Sequence, residues 1–395
     1  MSPAEAGPDA DRDVPWRSRT VQGCLLSTAL VPLGVPLLSP ALPSLARAFA
    51  VSGARASLFV SAYFLTGIVL APVIGGIVSR TGRRSVLVAS LAGFALVGVA
   101  VPAAPSFDVA LALRALQGTA AAGVLVATVT FIGSTFEGRR RNAVLGANAA
   151  ALAAGAAVYP VLGGALLGVS WRAPFLAFLL ALPAAAFAWF VFPDDPGETG
   201  PRPRLQTALS GLPATDAVAL YGATFVGEFL LVGAVFTLLP FLLVADYALA
   251  PVFVGGVITA TLTVTAVAAA SNGRLSTVAS NAALLVAGFA SIAAGLFGAW
   301  VARSAAPVAT SVTLVGLGTG LNYPSIDAEL STRVEPAARS SVLSARVSWT
   351  FLGRTLGPAA FAWVALRYDY GTSLLAGGVL AAVTALVVAA LSVRR

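Results

Sequence analysis

The sequence predicts an all-α polytopic membrane protein with twelve transmembrane helices in two pseudo-symmetric six-helix bundles. Hydrophobic residues make up 58% of the 395 residues and charged residues only 10%, which leaves more apolar surface than a water-soluble chain of this length can bury. Apolar runs of about 20 residues, the length that spans a bilayer, follow one another with short connections. Three pairs of motif residues are separated by the same 198 positions and indicate a duplicated unit: Gly75 and Gly273, Gly118 and Gly316, Pro160 and Pro358.

This pattern divides the chain into four parts. Residues 1–19 combine Pro, Gly and charge and predict a disordered cytoplasmic tail. Residues 20–193 and 216–395 are expected to form the N-terminal and C-terminal six-helix bundles. Residues 194–215, the longest polar stretch inside the chain, are expected to be a cytoplasmic linker. The predicted helices lie near 21–42, 56–78, 85–101, 109–133, 143–166, 173–192, 217–243, 251–271, 282–302, 306–324, 341–365 and 372–392.

Composition also excludes several classes of function. The formal net charge is +8 and all 24 basic residues are arginine. Most of these arginines fall in the connections on the side of the amino terminus, which predicts a plasma-membrane protein with both termini in the cytoplasm and needs no nucleic-acid partner. With no His and a single Cys24, neither a metal site nor a cofactor is expected. An ATP-driven pump is disfavoured because the chain has no Lys to complete a phosphate-binding loop.

The first two predicted helices are joined to the third by a strongly basic connection. Helix 1 contains Pro32, Pro36 and Pro40, which predict kinks that neighbouring helices must accommodate. After helix 2, the segment 75–87 carries three arginines within five positions, and lipid cannot solvate three guanidinium groups. We therefore expect an aqueous loop between helices 2 and 3.

This basic segment resembles the loop between helices 2 and 3 of the major facilitator superfamily, with the pattern G-x-[LI]-x-x-R-x-G-R-R. The resemblance implies a cytoplasmic gating loop that contacts the start of helix 11. Ser79 stands where the family usually has an Asp, which predicts a weaker gate. The residues that match the pattern are Gly75, Ile77, Arg80, Gly82, Arg83 and Arg84.

Predicted helix 4 contains one arginine in an apolar span. Arg114, Gln117 and Gly118 resemble the R-x-x-Q-G motif of the same superfamily, in which the Arg is tied to proton coupling. An arginine inside a bilayer costs several kcal/mol unless it has a partner or a wet cavity. The alternative is that Arg114 lies near enough to the helix end to reach the interface and serves only packing.

Predicted helix 5 resembles the antiporter motif G-x-x-x-G-P-x-x-G-G, which implies export rather than uptake. Small residues at these spacings let helices approach closely, as they do in many membrane bundles. Tyr159 replaces one Gly of the pattern, and helix 11 repeats part of it. The packing residues predicted in the two helices are Gly155, Pro160, Gly163, Gly164, Gly353, Gly357 and Pro358.

Two charges in the second half are candidates for proton coupling or substrate binding. Glu228 lies halfway along predicted helix 7, where a carboxylate binds a proton more readily than in water. It is either the coupling acid or a structural hydrogen-bonding group. Arg354 in helix 11 either pairs with Glu228 or binds an anionic substrate. Polar side chains that could line the same cavity are Asn148, Tyr159 and Asn322, together with Tyr63, Tyr221 and Trp349.

Three functions follow from these features. The first is a monomeric secondary transporter that exports a small hydrophobic or amphipathic molecule in exchange for protons. The second is a uniporter or symporter of sugars or organic anions with the same fold. The third, a polytopic sensor or enzyme, is disfavoured because interfacial His, Asp or Cys clusters are missing from the sequence. We expect a transporter and not an enzyme.

Overall fold

The computed structural model describes residues 14–193, 214–335 and 338–393, and within these it omits the side chains of residues 68–73, 75, 79, 214, 340, 392 and 393. The described residues form helices and turns and no strand. The uninterrupted helices are α2 (Gly53–Thr81), α3 (Arg83–Ala100), α4 (Phe107–Thr135), α5 (Gly138–Leu166), α8 (Pro251–Leu275), α9 (Asn281–Val301), α10 (Ala305–Thr332), α11 (Arg339–Arg367) and α12 (Tyr370–Val393). Three further helical segments, α1, α6 and α7, are interrupted.

Helix α1 is broken in its middle and is longer than the sequence suggested. It consists of Arg19–Leu30 and Leu42–Ala48, with two short 3₁₀ turns between them. Proline has no N–H to donate and clashes with the preceding turn, so three prolines in nine positions stop the α-helical ladder rather than only bending it. The predicted kinked helix over 21–42 is therefore wrong in detail, and some of the carbonyl groups between the two parts are left for other partners.

Helices α6 and α7 carry milder irregularities. Helix α6 joins Ala173–Leu176 to Ala181–Val191 through a 3₁₀ turn. Helix α7 joins Ala214–Leu230 to Leu239–Ala245 through a π-helical segment, Leu231–Leu238. This wider turn begins three residues after Glu228 and was not predicted, since π-helical segments have no strong local sequence signature but often occur at functional sites.

The basic connection between α2 and α3 is a single residue and not a loop. Helix α2 continues to Thr81, and α3 begins at Arg83. Gly82 between them has a φ of 86°, a conformation that side chains with a Cβ rarely adopt, so one glycine suffices to reverse the chain. Arg80 therefore lies on the last turn of α2, and Arg83 and Arg84 lie on the first turn of α3.

Eight of the helical segments in the described residues are long and apolar enough to cross a bilayer. The chain is accordingly a multi-pass membrane protein. The segments that do not meet this criterion include the interrupted α1 and helices that carry charge, such as α11 with Arg346 and Arg354. Those charges need partners inside the bundle, and the partners are found in the site described below.

The two halves of the chain repeat the same helix pairings. In the first half α2 and α3 each pack on α4, α3 packs on α6 and α1 packs on α5. In the second half α8 and α9 each pack on α10, α9 packs on α12 and α7 packs on α11. Between the halves, α2 packs along α11 and α5 along α8. The arrangement is the all-α, two-bundle fold that the sequence predicted.

Candidate functional site

An ion pair lies in the middle of the second half. The Nε and Nη2 atoms of Arg354 donate to the two carboxylate oxygens of Glu228 at 2.8 and 3.1 Å. The side chain of Glu228 is 2% exposed and that of Arg354 is 31% exposed. Glu228 is near the middle of α7 and Arg354 near the middle of α11. The site therefore presents a guanidinium to the space between the helices and keeps the carboxylate behind it.

Two aromatic side chains complete the surroundings of this pair. Tyr323 of α10 is half-buried and interacts with both Glu228 and Arg354. Phe64 of α2 comes from the other half, with the guanidinium carbon of Arg354 5.5 Å from its ring centre. The ring of Phe351 lies 6.3 Å from that of Phe64. An arginine that is partly desolvated in this way gains from the negative face of an aromatic ring.

The second intramembrane arginine, Arg114, is enclosed by the first half. Its side chain is fully buried, so it does not extend to the interface. Nη2 donates to the carbonyl oxygen of Gly34, and Nη1 donates to Oε1 of Gln117. The guanidinium carbon lies 4.5 Å from the ring centres of both Phe59 and Tyr63. We refer to these five residues as the Arg114 clamp.

The Arg114 clamp depends on the break in α1. Gly34 follows the first 3₁₀ turn, and its carbonyl group is one of those released by the prolines. The hydroxyl of Tyr63 donates to another carbonyl of this stretch, that of Val31, at 3.3 Å. Gln117 in turn donates to the carbonyl oxygen of Phe94 in α3 at 3.1 Å. Unwound carbonyls and a buried cation satisfy one another here, which allows both to remain inside the membrane.

The glycines of α5 lie at close contacts with two helices. A Cβ at Gly155 would be 2.5 Å from the carbonyl oxygen of Ala29 in α1, and one at Gly163 would be 1.9 Å from that of Leu37. A Cβ at Gly164 would be 2.3 Å from the carbonyl oxygen of Pro251 at the start of α8. The carbonyl of Pro160 also faces α8, where a Cβ at Gly255 would be 2.1 Å from it.

Helix α11 packs on α7 through the same kind of contact between a glycine and a backbone carbonyl group. A Cβ at Gly353 would be 2.5 Å from the carbonyl oxygen of Phe225, and one at Gly357 would be 2.4 Å from that of Phe229. Pro358 follows within the helix. These contacts set the spacing of α7 and α11, and this spacing brings Arg354 within hydrogen-bonding distance of Glu228.

The other polar candidates form no hydrogen bond with the ion pair among the described residues. Asn322 is buried and its Oδ1 faces α9, where it would meet a Cβ at Gly288. Asn148 is buried on α5, and its Oδ1 has no hydrogen-bond partner among the described residues. Tyr159 is half-buried on α5, and its ring packs beside Gly155.

The basic segment at the α2–α3 connection contacts helices of its own half. Nη1 of Arg83 donates to the hydroxyl of Ser134 at the end of α4. The guanidinium of Arg84 lies 4.6 Å from the ring centre of Trp189 in α6, and Arg80 is exposed. The surroundings of Gly75 and the side chain of Ser79 are not described, so the predicted effect of Ser79 on the gate stays a prediction.

The two halves meet on the side of the bundle remote from the chain ends. We call the face where α1 begins and α12 ends the terminal face, and the opposite face the distal face. Near the distal face the hydroxyl of Ser39 donates to the carbonyl oxygen of Phe236 at 2.5 Å. Thr259 accepts from the backbone N–H of Val161 at 3.3 Å. These bonds and the Gly164 contact join the two halves near the distal face.

Two carboxylates lie at the distal ends of the second half. Asp246 ends α7, and Asp369 precedes α12, where it accepts a hydrogen bond from the backbone N–H of Thr372 at 2.5 Å. The pKa of Asp246 is raised, first by partial burial and then by the negative charge of Asp369. Part of this like-charge repulsion is relieved when Asp246 binds a proton.

Several members of these clusters could not be selected from the sequence. Phe59 and Phe64 read as ordinary apolar residues of α2, since a phenylalanine that contacts a cation has no distinct spacing. Gly34 contributes a carbonyl group, which every residue has. Tyr323 had a usable signal, because it is a polar aromatic residue beside Asn322 in an otherwise apolar span.

Comparison with known proteins is consistent with this architecture. A sequence model of the Major Facilitator Superfamily matches residues 24–242. The tetracycline resistance protein, class G, of Vibrio anguillarum is 39% identical over 160 residues, and the match spans 40% of this chain and 40% of that protein. The bacillibactin exporter of Bacillus subtilis (strain 168) is 26% identical over 352 residues, with 84% of this chain and 86% of that protein covered.

Among solved structures, a bacterial homolog of the human lysosomal transporter Spinster, in an inward-facing and unoccupied conformation, aligns with a TM-score of 0.82. The alignment covers 95% of this chain and 97% of the other, at 14% sequence identity. At that identity the likeness concerns the fold.

Proposed function

The chain belongs to the Major Facilitator Superfamily, whose members are transporters and not enzymes, and we propose that it exports a small hydrophobic or amphipathic compound by alternating access, in exchange for protons. The relative that covers most of the chain is named as an exporter, and another as a resistance protein. These names support export. The direction, the cargo and the proton coupling of this chain are the content of the proposal.

The observation that carries the proposal is the ion pair of Glu228 and Arg354. It is the mid-span pair of opposite charges among the described residues, and its carboxylate is nearly inaccessible while its guanidinium is not. With Glu228 ionised the pair has no net charge. With Glu228 protonated, Arg354 is left as an uncompensated cation inside the membrane.

Exchange follows from the cost of that uncompensated charge. A hydrophobic cargo that enters the space beside the pair displaces water and lowers the local dielectric constant. A lower dielectric constant raises the free energy of the net-charged state relative to the neutral pair. Cargo binding and proton binding therefore oppose each other, and this antagonism is reciprocal. A cationic cargo would oppose the proton more strongly, by direct repulsion from Arg354.

Alternating access requires that one face be closed while the other is open to cargo. The contacts of Ser39 with Phe236 and of Gly164 with Pro251 join the halves near the distal face, and we propose that this is the closed end. We assign the terminal face to the cytoplasm of the plasma membrane, because Arg80, Arg83 and Arg84 lie there. Cargo would then load from the cytoplasm. One copy of the chain contains both halves that enclose the site, so it is proposed to act as a monomer.

The exposure of Arg354 favours a second candidate, the transport of an organic anion. An anion that binds the accessible guanidinium competes with Glu228 for it. The released carboxylate is then buried without a counter-charge and takes up a proton. Anion and proton would bind together and move in the same direction. The charge of the cargo therefore decides whether the same ion pair produces exchange or cotransport.

Transport in proteoliposomes with an imposed pH gradient tests both candidates. The probes are ethidium as a cation, N-phenylnaphthylamine as a neutral compound and anilinonaphthalene sulfonate as an anion with the same rings. The native protein is compared with Glu228→Gln and with Glu329→Gln. Glu329 is a matched control because its carboxylate is paired with Arg333 near the terminal face of α10.

Exchange predicts that the native protein and Glu329→Gln move the cation or the neutral probe against the proton gradient. Glu228→Gln is expected to lose the effect of the gradient and to keep gradient-free counterflow of the probe at a lower affinity, because Gln leaves Arg354 uncompensated, as protonation of Glu228 does. Accumulation of the anion together with protons would replace exchange by the second candidate. Probe transport that is independent of the pH gradient in all three proteins would show a facilitator and overturn proton coupling.

A further inference from the structure

Arg354 is held from both halves of the protein. Glu228 and Tyr323 contact it from the second half, and Phe64 contacts it from the first. Within the described residues, the pair of Phe64 and Arg354 is the cation–aromatic contact that joins the two halves. Phe64 is buried, so the ring is covered by protein and not by lipid.

The partners of Arg354 within the second half are expected to stay fixed relative to Arg354 when the two halves move. A Cβ at Gly353 would be 2.5 Å from the carbonyl oxygen of Phe225 in α7, which leaves no room for α7 and α11 to slide independently. Glu228 and Arg354 are thus carried by two helices that are packed backbone to backbone. The contact with Phe64 is different, because α2 belongs to the other half.

Phe64 is equally fixed to the first half, through its neighbour. The ring of Tyr63 lies against Arg114, and its hydroxyl donates to Val31. The carbonyl oxygen of Tyr63 would lie 1.9 Å from a Cβ at Gly118, so α4 is pressed onto α2 at this point. Consecutive residues of α2 therefore contact the two intramembrane arginines, Tyr63 in its own half and Phe64 across the boundary.

We propose that Phe64 is a positioning residue for the Glu228–Arg354 pair. Its ring holds Arg354 against Glu228 only while α2 and α11 are in contact at mid-membrane. Rigid-body separation of the halves at this level removes the ring from one face of the guanidinium. Arg354 then has more freedom and a weaker hold on Glu228, and the carboxylate accepts a proton more easily. The inference rests on the proposed proton exchange and names the residue that links proton binding to conformation.

Within the part of the chain that the structure describes, few other groups face this pair. The titratable side chains near it are Tyr323 on α10 and Tyr63 on α2, and Arg114 lies beyond Tyr63. Asp327 is paired with Arg346 at 2.6 Å, closer to the terminal face. A change in proton binding caused by a substitution at Phe64 is therefore expected to act through Arg354 and Glu228.

The test uses thermal unfolding of the detergent-purified full chain as a function of pH, which needs no knowledge of the cargo. The variants are Phe64→Leu, Phe64→Trp and Phe351→Leu, each also made together with Glu228→Gln. Phe351→Leu is the matched control, because its ring contacts that of Phe64 from α11. Phe64→Trp keeps an aromatic face for Arg354.

We expect Phe64→Leu to strengthen proton binding by about threefold to tenfold, since a cation–aromatic contact of a partly exposed guanidinium is worth about that ratio. The pH at which stability changes should rise accordingly, return towards the native value in Phe64→Trp and stay native in Phe351→Leu. In the Glu228→Gln background this pH-dependent change should be missing from every variant.

Equal shifts in Phe64→Leu and Phe351→Leu would show general loosening of the boundary and overturn the proposal. A shift that persists without Glu228 would overturn it as well. Because this readout does not involve transport, a failure of proton exchange in proteoliposomes would leave it unchanged, and the two failures can be told apart.

Discussion

Removal of Arg114 should release the broken part of α1, and the single cysteine of the chain can report it. In Arg114→Ala the carbonyl of Gly34 and Oε1 of Gln117 lose their donor in a buried place. Each unsatisfied polar group costs about 1–3 kcal/mol. The loss of contacts with the rings of Phe59 and Tyr63 adds about 0.5–2 kcal/mol.

Relief from burying a guanidinium offsets part of this cost, since desolvation of a charge is itself worth several kcal/mol. We therefore expect a net loss of about 3 kcal/mol, which corresponds to roughly a hundredfold rise in the population of locally opened α1. Arg114→Lys should fall between the native protein and Arg114→Ala. An ammonium group keeps the charge but lacks the planar face that fits between two rings.

Cys24 is the reporter because it is fully buried on α1 and its thiol lies 3.9 Å from the carbonyl oxygen of Thr128 in α4. The rate of labelling by a membrane-permeant maleimide should rise by about two orders of magnitude in Arg114→Ala, in line with the opened population. Arg55→Ala is the control. Arg55 pairs with Asp108 at 2.7 Å on the surface, and its removal should cost less than about 1 kcal/mol.

Native labelling of Cys24 in Arg114→Ala together with loss of proton-driven transport would contradict the structural role of Arg114. Arg114 would then act directly in proton coupling, as the family resemblance implied, and the Arg114 clamp would not hold α1 in place. Faster labelling with transport retained would instead assign Arg114 to structure alone.

Two further perturbations test the packing and the distal face. Gly163→Ala places a Cβ 1.9 Å from the carbonyl oxygen of Leu37 and should destabilise the protein by about 1–3 kcal/mol in thermal unfolding, whereas Gly146→Ala, which meets no atom within 4 Å, should be neutral or slightly stabilising. Asp246→Asn should raise the unfolding temperature at neutral pH, because the raised pKa of Asp246 means that its charged form is disfavoured in the folded state, first by partial burial and then by the charge of Asp369. The stability that proton binding by Asp246 contributes grows as pH falls. The advantage of the Asn variant should therefore vanish below about pH 4, where the carboxyl is protonated in both the folded and unfolded states. A constant advantage at every pH would contradict the assigned cause.

The helices could be predicted from the sequence because a bilayer requires long apolar runs whatever their packing. The single-residue turn at Gly82 could not, since three nearby arginines suggested a solvated loop and only the backbone angle of Gly82 shows that one residue suffices. The prolines of α1 did predict a distortion of this helix. They could not show that the released carbonyl of Gly34 would be taken by Arg114, because that partner is 80 residues away.

The ion pair is a second case in which the sequence names the residues and leaves their contact undetermined. Sequence reasoning selected Glu228 and Arg354 but left open whether they pair, since pairing depends on the rotation of α7 and α11 about their axes. The close contacts at Gly353 and Gly357 fix that rotation, and the bond follows. Phe64 was not selected at all, because a contact across the two halves leaves no trace in the spacing of either helix.

A single mid-span carboxylate also limits the concentration ratio of cargo that the protein can maintain across the membrane. If Glu228 is the sole carrier of protons, each turnover exchanges one proton for one cargo molecule. For a neutral cargo one elementary charge then crosses the membrane per cycle, which at 100 mV is worth about 2.3 kcal/mol. That amount supports a concentration ratio of about fifty to one. Steeper gradients of cargo would require a larger membrane potential or a pH difference, and no improvement in affinity could replace them.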